Sequence, residues 1–384
     1  MRSDRFATEV VCLMRILHAV AYYGDYLGGI QHSVNEVSRR QLLSGHDVKI
    51  LTSTMFGASR VVDGVAVKRL RTPFELYRVP FTPTLPFALL KENCDVLHAY
   101  LPLPWLDLCA AFKKRLSPRT RLVLSIRNLL SNASTLGERT ATRIHDGLTI
   151  KAALDVADAV VFTNRDFALS VPYEIPREKI YIVPNGVDLD VFHPNQRFAF
   201  KKNQILFVGR LIPEKGLKVL MRAMRIVVKT IPDAKLFAVV SDYYGEQDYM
   251  KEVLEEDTGF LELRSRLPIH ELAQLYRDSA VLVLPSIGLE SFGNVLVEAM
   301  ASGSPVIATD LAGPRDLVQS GQDFNVGSVV PRNDVEKLAE AILAELHNNN
   351  ADRRMKVRRF VESWASWDTV AKRLISVYED CGRN

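Results

Sequence analysis

Five consecutive apolar residues, Ala280-Val281-Leu282-Val283-Leu284, break at Pro285-Ser286 and lead to Glu290-Ser291-Phe292-Gly293-Asn294-Val295-Leu296-Val297-Glu298-Ala299-Met300-Ala301-Ser302-Gly303-Ser304-Pro305. The run is short, partly β-branched and bounded by turn residues, the pattern of a strand buried on both faces. Such strands belong to parallel sheets covered by helices, so the run constrains the chain to an α/β layer structure. From Phe292 to Ser302 the composition is helical, and Gly303 suits the left-handed position just past a helix end. Glu290 then lies just before a helix N-terminus and Glu298 in its early turns. Amides at such a terminus favour an anion, whereas a carboxylate there needs hydroxyls or cations. A ligand carrying both phosphate and hydroxyls meets both demands.

The same alternation of strand, loop and helix runs through the chain twice. Ile16–Val20 reads as the first strand, followed by the loop Gly24–Gly29, a helix from about Ile30 to Leu43, and a strand at Val48–Leu51. Ligands of such units lie beyond the carboxyl ends of the strands, and Gly28-Gly29 permits close approach of backbone to phosphate or sugar. A plain turn explains the pair of glycines equally well. Residues 72–90, with Pro73, Pro80, Pro83 and Pro86 among aromatics, read as an extended surface segment. Strands follow at Asp95–Tyr100, Leu122–Ile126 and Ala159–Thr163, with helices near Leu106–Leu116 and Gly147–Val156. A second series starts at Ile205–Val208, with strands at Lys235–Val240, Phe260–Leu263, Ala280–Leu284 and Pro305–Thr309. The resulting division is an N-terminal Rossmann-like domain over 14–192, a linker over 193–203 and a C-terminal Rossmann-like domain over 204–366. Residues 1–13 read as a disordered extension, with Met14 an alternative start. Residues 367–384 hold a last helix with apolar residues at helical spacing. Two α/β halves of this kind imply a cleft that takes a ligand.

A chain of 384 residues with 47% hydrophobic content is long enough for two full cores. The net charge of +4 gives no support to a nucleic-acid partner. Residues 1–192 hold 24 Lys+Arg against 19 Asp+Glu, a tilt that favours an anionic partner for the first half, against the blander reading of a solvated surface. Lys113-Lys114-Arg115, with Arg119 and Arg121 beyond, closes a helix; cations there are usually dipole partners, and the sharper reading is a peripheral contact with the inner face of a membrane. Cys12, Cys94, Cys109 and Cys381 have no paired spacing, so neither zinc nor a disulfide framework is expected and a reducing cytoplasm fits. No apolar run reaches the roughly 20 residues that span a bilayer, and Met1–Glu9 does not look like a secretory signal. Without such a signal the sequon Asn132-Ala133-Ser134 carries no meaning.

Arg210 and Lys215 follow a strand and stand five residues apart inside Gly209 and Gly216. Two fixed cations at that edge would neutralise a diphosphate and the charge that grows on it as a leaving group. An exposed βα loop is the bland alternative. Asp188-Leu189-Asp190 is a D-x-D sequence that here reads as a solvated turn rather than a metal site.

These residues together resemble the retaining glycosyltransferases of family 4, built on the GT-B fold of two Rossmann-like, doubly wound α/β domains facing a central cleft. The resemblance rests on Gly28-Gly29-Ile30; Val183-Pro184-Asn185-Gly186-Val187-Asp188 with Val191-Phe192-His193-Pro194; Phe207-Val208-Gly209-Arg210-Leu211 with Glu214-Lys215-Gly216; and Glu290-x7-Glu298 running into Ala299-Met300-Ala301-x-Gly303-x-Pro305. The matches fall in the family's order and span nearly the whole chain. The resemblance implies transfer of a sugar from a nucleoside diphosphate sugar to an acceptor hydroxyl with retention at the anomeric carbon, without a metal ion or other cofactor. It implies that Arg210 and Lys215 grip the diphosphate, that Glu290 contacts the transferred sugar, and that Glu298 binds the ribose. Backbone amides near Phe292, Gly293, Asn294 and Val295 and at Gly28-Gly29 would complete the donor site, the nucleobase would sit against Leu263–Arg266, and the last helix would cross back to the N-terminal domain. A glycan, lipid-linked or small-molecule acceptor would be used.

Two departures concern the acceptor half. Many members carry a histidine after the strand that here ends at Ile126, and this chain has Arg127 there. Arginine cannot act as a general base, but its charge can hold a phosphate or the departing diphosphate. The family's histidine-x-histidine is His98-Ala99-Tyr100. Arg127 motivates an alternative from a different class, a non-catalytic sugar-nucleotide-binding subunit.

Overall fold

The computed structural model describes residues 13–21, 23, 29–55, 58–76, 79–127, 145–241, 247–255, 258–265, 267–288 and 290–382. The chain forms two compact units, one of residues 1–161, 175–181 and 374–384 and the other of residues 162–174 and 182–373.

The sheet of the first unit holds β1 (Arg15–Val20), β2 (Asp47–Thr54), β3 (Arg60–Val62), β4 (Val65–Arg71), β7 (Val96–Leu101), β8 (Arg121–Ile126), β9 (Ala159–Phe162) and β10 (Ile180–Ile182), and buried apolar runs build its central members β1, β7 and β8. The sheet order is β10-β9-β8-β7-β1-β2-β4-β3. Its central pairings are parallel, with Ile16 opposite both Val48 and Val96, and only the edge pair β3–β4 is antiparallel among those registered. Residues 72–90 are not simply extended. They form a two-stranded antiparallel ribbon, β5 (Phe74–Leu76) with β6 (Val79–Phe81), and a helix, Leu85–Lys91. The prolines are compatible with both: Pro80 sits in a two-stranded edge, and Pro86 occupies the first turn of the helix, where an N–H has no partner to lose. The helix expected at Gly147–Val156 begins as six residues of π-helix, His145–Ile150, and continues as α-helix over Lys151–Val156.

The second unit carries β11 (Lys201–Arg210), β12 (Lys235–Ser241), β13 (Leu261–Ser265), β14 (Ser279–Leu284), β15 (Val306–Thr309) and β16 (Gly327–Val330). They are ordered β13-β12-β11-β14-β15-β16, all parallel. Counted within the unit this is 3-2-1-4-5-6, the doubly wound order whose ligand crevice opens where the winding reverses, between the first and fourth strands. The strand read from Ala280–Leu284 is buried along its whole length. One core lies under the helices Leu217–Thr230 and Val335–Asn348, around Phe207, Met221, Met224 and Ile342. A second lies under Asn294–Ala301 and Ala351–Glu362, around Tyr276, Phe292, Leu296 and Phe360. The last helix, Trp367–Asp380, starts in the second unit and ends in the first. Among the described residues no helix is long and apolar enough to cross a membrane.

Candidate functional site

The reversal point of the second sheet falls between the ends of β11 and β14, and the chain spends its unusual residues there. β11 ends at Arg210, which is exposed. A single 3₁₀ turn, Pro213–Lys215, follows and closes on Gly216 at φ 72°. A side chain at Gly216 would be left-handed, and its Cβ would lie 1.9 Å from the Pro285 carbonyl oxygen. Glycine therefore lets this turn press onto the loop after β14. The amides of Ile287 and Gly288 donate to the Glu214 carbonyl at 2.8 and 3.1 Å, which ties the two loops together. That junction brings Lys215 against Glu290, and the two form an ion pair with side chains 18% and 16% exposed. The cation and the acid, 75 positions apart in the sequence, form one constellation.

Past Glu290, the Ser291 carbonyl accepts from Thr163 Oγ1 at 3.0 Å and from Asn164 Nδ2 at 2.6 Å. Phe292 is 3% exposed and packs in the core, so only its backbone faces the loop. Gly293, at φ 91°, opens the helix Asn294–Ala301, and among the described residues no side chain caps that end. Its first N–H groups are thus available to an anion. Asn185 Nδ2 donates to Asn294 Oδ1 at 2.8 Å, which places the Pro184-Asn185-Gly186 stretch beside the helix start, within the second unit. Glu298 follows one turn on. Its Oε2 accepts from the Tyr276 hydroxyl at 2.7 Å. Burial pushes the Glu298 carboxyl above the ordinary carboxylate value, with the Tyr276 hydrogen bond pulling it back. Tyr276 itself lay in a stretch of helical apolar spacing, and nothing in the sequence set it apart from core.

The structure thus gathers Lys215, Glu290, Gly293, Asn294, Val295 and Glu298 in one unit with Arg210. Gly28 and Arg266 lie outside the described residues, while Leu263–Ser265 form the end of β13. Gly29 starts the helix Gly29–Leu43 of the first unit. Arg127 is also in the first unit, 7% exposed at the end of β8, with its guanidinium 5.9 Å from the Tyr100 ring centroid. Burial lowers its pKa from the ordinary arginine value. Beneath it runs a buried polar network. His98 contacts the Tyr378 hydroxyl at 2.6 Å and Ser125 Oγ at 2.7 Å, Tyr100 meets His18 at 3.2 Å, and His18 meets Gln41 at 2.8 Å. Asp188 Oδ1 accepts the amides of Asp190 and Val191, so the D-x-D sequence is a turn that satisfies itself. Among the described residues no cluster of three or more metal-ligating side chains occurs.

Comparison with known proteins decides the family. The family described as Glycosyltransferase Family 4 matches residues 27–191, and that described as Glycosyl transferases group 1 matches residues 190–359, so the two run end to end over most of the chain. The chain belongs to the family 4 glycosyltransferases. A phosphatidyl-myo-inositol mannosyltransferase of Mycobacterium leprae is 27% identical over 95% of this chain and 96% of its own. Among solved structures, sucrose-phosphate synthase from Thermosynechococcus elongatus superposes with a TM-score of 0.76 at 19% identity, covering 95% of this chain and 98% of that one. Anabaena Alr3699/HepE, solved in complex with UDP-glucose, gives 0.73 at 18% identity, covering 97% and 100%. These likenesses show the GT-B fold. As a family 4 member the protein is a glycosyltransferase enzyme, and the alternative of a non-catalytic subunit finds no support among these relatives.

Proposed function

We propose that this glycosyltransferase transfers a sugar from a nucleoside diphosphate sugar to an acceptor hydroxyl with retention of anomeric configuration. The observation that carries the reading is the Lys215–Glu290 ion pair at the reversal point of the sheet. A carboxylate and an ammonium in contact address a ligand whose hydroxyls and phosphate are adjacent, which is the chemistry of a sugar joined to a phosphate. Arg210, Lys215 and the open amides after Gly293 meet the diphosphate charge, and no metal ion is required for it. Glu290 orients the sugar and Glu298 accepts from the ribose hydroxyls. The bond from the anomeric carbon to the phosphate oxygen breaks, the acceptor oxygen bonds on the same face, and the acceptor proton passes to the departing phosphate oxygen. Stabilising that oxygen is where Arg210 and Lys215 act on the rate.

For the acceptor we propose an inositol phospholipid, in keeping with the name of the mycobacterial relative. Arg127, a buried cation at the end of β8, suits its phosphate. The basic run of the first unit is largely taken up by protein groups: Lys113 donates to the Glu92 carbonyl, Lys114 pairs with Asp158, and Arg121 donates to the Tyr378 carbonyl. A membrane contact would then fall to Leu108, Phe112 and Leu116, which are exposed along one face of the helix Pro104–Leu116, with Arg115 and Arg119 at its end.

The reaction is tested by incubating the enzyme with UDP-, GDP- and ADP-sugars and vesicles containing phosphatidylinositol, with and without EDTA. Release of nucleoside diphosphate together with a glycosylated lipid, undiminished by EDTA, is expected. Transfer abolished by EDTA overturns the metal-independent mechanism, and donor use without lipid product overturns the acceptor.

A further inference from the structure

Glu298 has one oxygen committed and, among the described residues, no hydrogen-bond partner on the other. Its Oε2 accepts from the Tyr276 hydroxyl at 2.7 Å, and no hydrogen bond to Oε1 occurs among the described residues. Tyr276, in the helix Ile269–Asp278, is fully buried, so its hydroxyl has no alternative in water. The ring is held in turn. Phe192 meets it edge to face, with centroids 5.7 Å apart at 76°. Phe192 is fixed by its backbone, since Arg358 Nη1 donates to the carbonyls of Phe192 and Ala301 at 2.6 Å each. Ala301 is the last residue of the helix that bears Glu298. Arg277, next to Tyr276, reaches His193 Nε2 at 3.4 Å. The Val191-Phe192-His193-Pro194 motif, which no step of the transfer uses, therefore braces the residue behind Glu298.

We propose that Tyr276 is a positioning residue for nucleotide recognition: it pins one oxygen of Glu298 so that the other is presented to the ribose, and it thereby sets the preference for ribose over deoxyribose. This rests on the reading of Glu298 as the ribose acceptor. A carboxylate free to turn about its terminal torsion pays rotamer entropy on binding, whereas one held at Oε2 offers Oε1 in a fixed direction. A hydroxyl bonded to an ionised carboxylate is a charge-assisted contact, so its loss is expected to cost about tenfold or more in affinity.

The test compares binding of UDP, GDP or ADP, whichever gives the largest thermal shift, with its 2′-deoxy and 3′-deoxy forms by calorimetry. The wild type is expected to prefer the ribose form by about tenfold or more. In Tyr276→Phe, which keeps the ring and removes only the hydroxyl, that preference is expected to shrink to about threefold or less, and the acid limb of binding is expected to move to higher pH. Phe192→Leu keeps the hydroxyl but loosens the ring, and an intermediate preference is expected; this variant carries the test if Tyr276→Phe does not fold. If Glu298→Gln abolishes the preference while Tyr276→Phe retains it within twofold, Glu298 is the ribose acceptor and the positioning role is overturned. If Glu298→Gln leaves the preference intact, the reading of Glu298 fails and the proposal fails with it.

Discussion

Lys215 holds Glu290 and, as proposed, also meets the diphosphate; a single substitution separates the two effects by what each does to stability and rate. Lys215→Ala leaves Glu290 without its cation in a partly buried position, a cost of roughly 1–2 kcal/mol that lowers the melting temperature by a few degrees. The loss of leaving-group stabilisation is much larger, and turnover at saturating donor is expected to fall by about 10²–10³. Near-normal turnover would remove Lys215 from the chemistry. Glu298 gives a prediction of opposite sign on stability. Its pKa is raised by burial, so the folded state binds the proton more tightly than the unfolded chain, and ionisation above that raised value costs stability. Glu298→Gln keeps the shape and an oxygen for the Tyr276 hydroxyl, and is expected to raise the melting temperature at neutral pH while weakening nucleotide binding. In the wild type, nucleotide affinity should be full above the raised pKa and be lost as pH falls through it, at higher pH than for a solvated glutamate. A melting temperature that falls in Glu298→Gln contradicts the burial argument. At this scale the acids and cations were legible because their spacing from strand ends and glycines is local. The pairing of Lys215 with Glu290, 75 positions apart, was not, because it depends on Gly216 letting two loops touch.

Five strands of the second unit, β11 to β15, were legible because each is a short apolar run punctuated by turn residues; β16 was not, because Gly327-Ser328-Val329-Val330 holds only two apolar side chains. The polar network joining β1, β7 and β8 to the helices Gly29–Leu43 and Trp367–Asp380 was not. His18 and His98 sit inside the strands read from Ile16–Val20 and Asp95–Tyr100, and only the fold shows that Tyr378, 280 positions away, satisfies His98. Burial lowers the His18 pKa to about 4 and takes His98 well below the ordinary histidine value, so both are neutral in the native state. The stability this represents is present above the unfolded value near 6.5 and is lost as pH falls from there toward about 4. His18 alone is expected to lower the unfolding free energy by about 2 kcal/mol between pH 7.5 and 5. Urea denaturation at the two pH values measures it, and a His18→Asn variant should flatten the slope. An unchanged slope contradicts the assignment. The misreading of residues 72–90 has a related cause: proline bars the interior of a helix or sheet, but not a helix's first turn or an isolated ribbon.

At the scale of the whole molecule, the repetition of strand, loop and helix along the sequence is the pattern of two doubly wound sheets. Both sheets follow the order that such repetition favours, and the second reverses between β11, which ends at Arg210, and β14, whose following loop bears Glu290. Less legible was the division of the chain, in which residues 162–174 join the second unit and the last 11 residues return to the first. Those transfers are made by side chains such as Asn164 and Tyr378 whose partners lie far along the sequence. The central claim is a transfer with retention from a nucleoside diphosphate sugar. It is tested most directly by proton NMR of the glycosylated product made from an α-linked donor and phosphatidylinositol vesicles. An α-linked product with one equivalent of nucleoside diphosphate released is predicted; a β-linked product, or sugar transfer from a donor that is not a nucleoside diphosphate sugar, would contradict it.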